Sequence, residues 1–132
     1  MREVRARNER VQQGDLAGAV GHARVLGGAV EAAARRVELA RAAIAQATAT
    51  RDRALAGGAA TATIAGLARL RHELDGALGE LARARTRHRG QLAAVDGARE
   101  QLAMARAERE VIERHFAAWR ASREKLADRR DD

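Results

Sequence analysis

The stretch "LAGGAATATI", Leu55–Ile64, decides the fold. Adjacent Gly57 and Gly58 adopt without strain the left-handed geometry that ends a helix. Thr61 or Thr63 can then cap the next helix with its side-chain oxygen. The stretch therefore predicts a short turn at 57–61 between a helix over about 2–56 and a second over about 62–129. No proline interrupts either arm. A short connection between two long helices makes them antiparallel neighbours.

C-terminal to the turn, a heptad runs without a break. With position a at Leu67, the a residues are Leu67, Leu74, Leu81, His88, Val95, Leu102, Arg109, Phe116 and Arg123. The d residues are Leu70, Ala77, Ala84, Gln91, Ala98, Ala105, Ile112, Trp119 and Leu126. Mostly apolar residues sustained at a and d are a coiled-coil signature. A polar residue such as His88 at one a position commonly fixes register.

N-terminal to the turn the same pattern is weaker. Leu16, Ala23, Val30, Val37 and Ile44 lie seven apart, and Ala19, Leu26, Ala33, Ala40, Ala47 and Ala54 fill the companion positions. Val4 and Val11 are also seven apart but out of phase, which predicts a register shift near "QQGD", Gln12–Asp15. The expected fold is all-α: an elongated two-helix antiparallel coiled-coil hairpin, with 1–132 as a single unit. At 1.5 Å per residue the arms would be roughly 80 and 100 Å long. Residue i would face approximately residue 118 − i, given the helical rise and the central turn. Val4 then faces the region of Arg114, Met1 that of Ala117, and Trp119 and Leu126 project past the first helix.

Composition narrows the function. Charged residues make up 33% of the chain and aromatic residues 2%, which leaves little material for a globular core and suits a long helical assembly. The absence of cysteine removes disulfides and thiolate metal sites. His22, His72, His88 and His115 lack the spacing of a zinc site. No nucleophile–histidine–carboxylate arrangement and no phosphate-binding glycine loop is visible, and a two-helix hairpin offers no concave pocket. The expectation is a protein that is not an enzyme and needs no cofactor. The longest uncharged run, Ala54–Ala68, is too short and too rich in Gly and Thr to span a bilayer. Net charge is +7, yet the charges interleave, and the arginines of "RARTRHR", Arg83–Arg89, fall at every second position and spread around a helix. Nucleic-acid binding is therefore not the expected role.

Both aromatic residues, Phe116 and Trp119, lie in "EREVIERHFAAWR", Glu108–Arg120, as successive a and d residues. Two readings stand side by side. They thicken the open end of the coil by packing on Val4 and Met1, or they anchor in a partner, since Trp is enriched at binding hot spots. The glycines Gly14, Gly18, Gly21, Gly28, Gly76, Gly79, Gly90 and Gly97 fall off the seam. Each costs about 1 kcal/mol of helix propensity relative to Ala. They predict a marginal hairpin, softest between Gly14 and Gly28, with self-association open to it.

"LARLRHEL…AREQLAMARAEREVIERHFAAWRASREKLADRRDD" resembles the FliJ/YscO family, the coiled-coil stalk proteins of flagellar and virulence type III secretion. The likeness covers approximately residues 51–132, with Ala98–Arg114 matching the family's "AR..L..A..ER..IER" type of stretch. "ERHFAAWR", Glu113–Arg120, looks more like the virulence branch, while the Gly-rich first helix departs from the family. The resemblance implies a cytoplasmic stalk at the secretion apparatus, peripheral to the inner membrane and without membrane insertion. Its open end would enter the hexameric secretion ATPase, and the rest would reach the export gate protein and escort secretion chaperones. On this chain the ATPase-binding residues would be Arg109, Ile112, Phe116, Trp119 and Arg120. The export-gate-binding residues would be Leu70, Leu74, Ala77 and Leu81, which are also seam residues. The competing class is a basic structural or nucleic-acid-associated coiled-coil scaffold.

Overall fold

The computed structural model describes Met1–Gly57 and Thr61–Asp131, with side-chain surroundings defined for 1–53 and 64–130. Its two helices, α1 (Arg2–Gly57) and α2 (Thr61–Asp131), pack against each other as an all-α hairpin, with no strand among the described residues. Ala, Leu, Arg and Glu favour helix throughout, and no proline removes a backbone donor. Gly57 is the last residue of α1 and Thr61 the first of α2, while Gly58 and the capping contacts expected of Thr61 and Thr63 lie outside what the structure describes.

The chain groups into two compact units, each made of one segment of α1 and one of α2. One comprises His22–Gln91. Its core is Ala33, Val37, Leu81 and Ala84, with Val30, Ala34, Leu74 and Ala77 packed against them. Here Ala33 and Ala34 of α1 pack in one cluster with Leu74 and Leu81 of α2. Arg36 pairs with Glu80 at 3.0 Å across the rim. The His88 imidazole lies against Gly27, where an added Cβ would come within 3.4 Å of Nε2. The antiparallel direction is read from these partners, because α2 numbers fall as α1 numbers rise.

The second unit comprises Met1–Gly21 and Leu92–Asp132. Val95, Leu102 and Ala105 are buried on α2. The α1 side is polar. Arg5 pairs with Glu108, and Glu9 is 7% exposed between Arg106 and Arg109. Oε1 of Glu9 lies 3.4 Å from Arg106 Nε, and Oε2 lies 2.9 Å from Arg109 Nε. The Glu9–Arg109 pair is close in distance but lacks hydrogen-bond alignment, so it is an ion pair held by charge.

The α2 heptad holds from Leu67 to Phe116. Every a and d residue from Leu67 to Phe116 is buried or half-buried, Gln91 and His88 included. On α1 the seam differs from the sequence reading at one place. No register shift occurs at Gln12–Asp15. The spacing that carries Leu16 and Ala19 continues unbroken through Gln12, Glu9 and Arg5, none of which is exposed. Val4 and Val11 instead face outward, at 67% and 51% exposure. The cause is electrostatic. Arg109 occupies an a position of α2, so the facing a position of α1 holds a carboxylate, and apolar periodicity alone points to the wrong stripe.

Candidate binding end

Within the unit that contains both termini, α1 begins at Arg2 and α2 runs on to Asp131. The seam of α2 thus loses its internal partner next to Phe116. From Ala117 to Arg130 every residue is exposed. Phe116 is half-buried, Trp119 is 52% exposed and Leu126 is 59% exposed.

Helical spacing builds a cluster there. Residues three and four apart share a face, so Trp119 and Arg120 lie beside Phe116, and Arg123 lies beside Trp119. The Phe116 and Trp119 ring centroids are 5.6 Å apart with the planes tilted by 31°. The Arg2 guanidinium comes across from α1 to 4.6 Å from the Phe116 centroid, and Arg120 lies 5.0 Å from the same ring. Arg123 lies 5.1 Å from the Trp119 centroid. A cation over an aromatic face at an exposed site is worth about 0.5–1 kcal/mol, so these contacts orient the cluster more than they stabilise the fold.

The packing on Val4 and Met1 offered by the first of the two readings does not occur. Met1 is 89% exposed and Val4 faces outward. Arg2 occupies the seam position two residues before Val4, so its guanidinium meets Phe116 in their place.

The residues assigned to ATPase binding divide into two groups. Phe116, Trp119 and Arg120 come together at the open end. Arg109 and Ile112 turn into the seam, where Arg109 is committed to Glu9. Arg2 and Arg123 belong to the cluster and were not among the expected residues. Arg123 was legible from its i+4 spacing to Trp119. Arg2 was legible from the pairing rule, which places it opposite Phe116. Leu70, Leu74, Ala77 and Leu81, assigned to the export gate, lie in the seam, where Leu81 is core and Leu74 and Ala77 pack against it.

Beside the aromatic pair a shallow depression of about 390 Å³ is lined by Val111, Arg114, His115 and Ala118, all on α2. In the other unit a groove of about 630 Å³ runs over Ala34, Val37, Leu78 and Leu81 with Arg35 and Arg85 on its rim. Among the described residues no group of His, Asp or Glu is placed to hold a metal ion, and no helix is long and apolar enough to cross a membrane. No protein-family model, curated protein or solved structure matches the chain.

Proposed function

We propose that this chain is a non-catalytic stalk and coupling protein of a type III secretion system. It binds the hexameric secretion ATPase through its open end and links the ring to the export gate on the cytoplasmic side of the inner membrane, with secretion chaperones as further partners. The observation that carries this reading is the cluster near the end of α2, where the coil's largest apolar side chains, Phe116 and Trp119, lie together with Trp119 half-exposed. A half-exposed Trp flanked by Arg has the composition of a binding hot spot. The sequence resemblance to the FliJ/YscO family supplies the identity of the partner. A gate contact through Leu70, Leu74, Ala77 and Leu81 would require the seam to open, so it carries less weight than the ATPase contact.

Co-purification with the cognate type III ATPase tests the proposal. The intact hairpin binds the ring, and Trp119→Ala weakens binding roughly tenfold, the effect of losing about 1.4 kcal/mol, with helicity unchanged. Arg83→Ala, on an exposed part of α2, has little effect. If Trp119→Ala lowers helicity and leaves the affinity of the folded fraction intact, Trp119 is a packing residue.

One observation favours the nucleic-acid scaffold as a second reading. Arg83, Arg85, Arg87 and Arg89 are all exposed on a chain of net charge +7. Salt-sensitive retention on duplex DNA, together with no binding to the ATPase, would select that reading.

A further inference from the structure

Three guanidinium groups surround the aromatic pair, and no carboxylate whose side chain is described pairs with Arg2, Arg120 or Arg123. Arg2 reaches across from α1, and in this it differs from Arg5, Arg36, Arg106 and Arg109, which meet a carboxylate of the facing helix in Glu108, Glu80 and Glu9. The arginines at the open end lie against ring faces and are exposed.

We infer that the Phe116–Trp119 pair with Arg2, Arg120 and Arg123 is a docking site for an acidic amphipathic helix of a protein partner. Its apolar side chains would cover Trp119, and its carboxylates would pair with the three guanidinium groups. The inference names the chemistry of the partner surface at the site proposed above, and its place in secretion rests on that proposal.

Charge complementarity selects the occupant. A second copy docked end to end would bring the same three cations against themselves. A phosphate-covered surface, lipid or nucleic acid, meets Glu124 and Asp128 as soon as it extends along α2, and these repel it. A discrete helix can place carboxylates at the guanidinium groups and avoid the acidic residues. Arg also suits this role, since its planar fork pairs with a carboxylate through two parallel hydrogen bonds while its face stays on an aromatic ring.

The test uses the full chain and a synthetic helical peptide with Leu on one face and Glu flanking it, alongside the same peptide with Gln in place of Glu. Fluorescence anisotropy of the labelled peptides should show the Glu peptide binding at least about tenfold more tightly than the Gln peptide. Arg120→Gln combined with Arg123→Gln should abolish that preference without loss of helicity, and Arg2→Gln should reduce it. Trp119→Ala should weaken both peptides. Equal affinity for the two peptides overturns the inference. So does tighter binding to anionic vesicles or to duplex DNA that is lost in Trp119→Ala, or concentration-dependent dimerisation lost in the same variant. The purified ATPase separates the two levels of claim. ATPase binding that ignores the Arg→Gln changes overturns the acidic partner and leaves the stalk. Glu-peptide preference without any ATPase binding overturns the stalk and leaves the acidic partner.

Discussion

Glu9 shows how a single polar residue can define a seam. Its carboxylate is buried between Arg106 and Arg109, whose side chains remain half in solvent, so the cluster is a polar layer with an open rim. Removing one member of a buried ion pair leaves the other uncompensated, at about 3–5 kcal/mol when both are buried. Exposure of the arginines reduces that figure, and Glu9→Ala should cost about 1–2 kcal/mol by chemical denaturation. Glu9→Leu should hold or raise stability, because an apolar residue of similar volume often matches or exceeds a buried ion pair. A larger loss for Leu than for Ala would show that the carboxylate contributes more than its charge pairing. This part of the seam was half legible from sequence. Arg109 at an a position, read with the pairing rule, already pointed to Glu9. The period of Val4 and Val11 pointed elsewhere, because a hydrophobic pattern carries no information about where a charge is compensated.

The elements themselves follow from their periods. α2 was read correctly from Leu67 to Phe116 because leucine and alanine recur at a and d with few exceptions, and the exceptions His88, Gln91 and Arg109 keep the spacing. α1 was harder, since its seam is built of Ala, which separates poorly from the Ala on its outer face. Its glycines are the element's weak points. Gly14, Gly18 and Gly28 stand in open space, with no atom within 4 Å of an added Cβ. Replacing each by Ala should raise stability by up to about 1 kcal/mol, visible as a higher Tm. Gly27→Ala should gain less, because its Cβ must fit beside the His88 ring. Hydrogen exchange should find the backbone between Gly14 and Gly28 the fastest to exchange in α1 outside its ends. Uniform protection along α1 would show that glycine content does not set its local stability.

At the scale of the molecule, the account rests on one asymmetry. α2 carries its seam residues Trp119 and Leu126 past Phe116, which meets Arg2 of α1, and both are exposed. The sequence showed this overhang through the pairing rule and the position of the turn. The same rule places the cation Arg2 opposite Phe116, but the apolar pattern gave no sign of it, because covering an aromatic face with a guanidinium leaves no apolar repeat to detect. A partner that grips this end should therefore bury Trp119 and leave the helices intact. Trp119 is the sole tryptophan of the chain, so a single fluorotryptophan reports on the site alone. The most direct measurement is the fluorine NMR signal of that residue as the purified type III ATPase ring is added. The account predicts one solvent-exposed resonance in the free hairpin, which shifts and broadens as the ring binds and loses its sensitivity to a soluble paramagnetic quencher. A resonance that keeps its position and its quencher sensitivity while the hairpin co-sediments with the ring would contradict it.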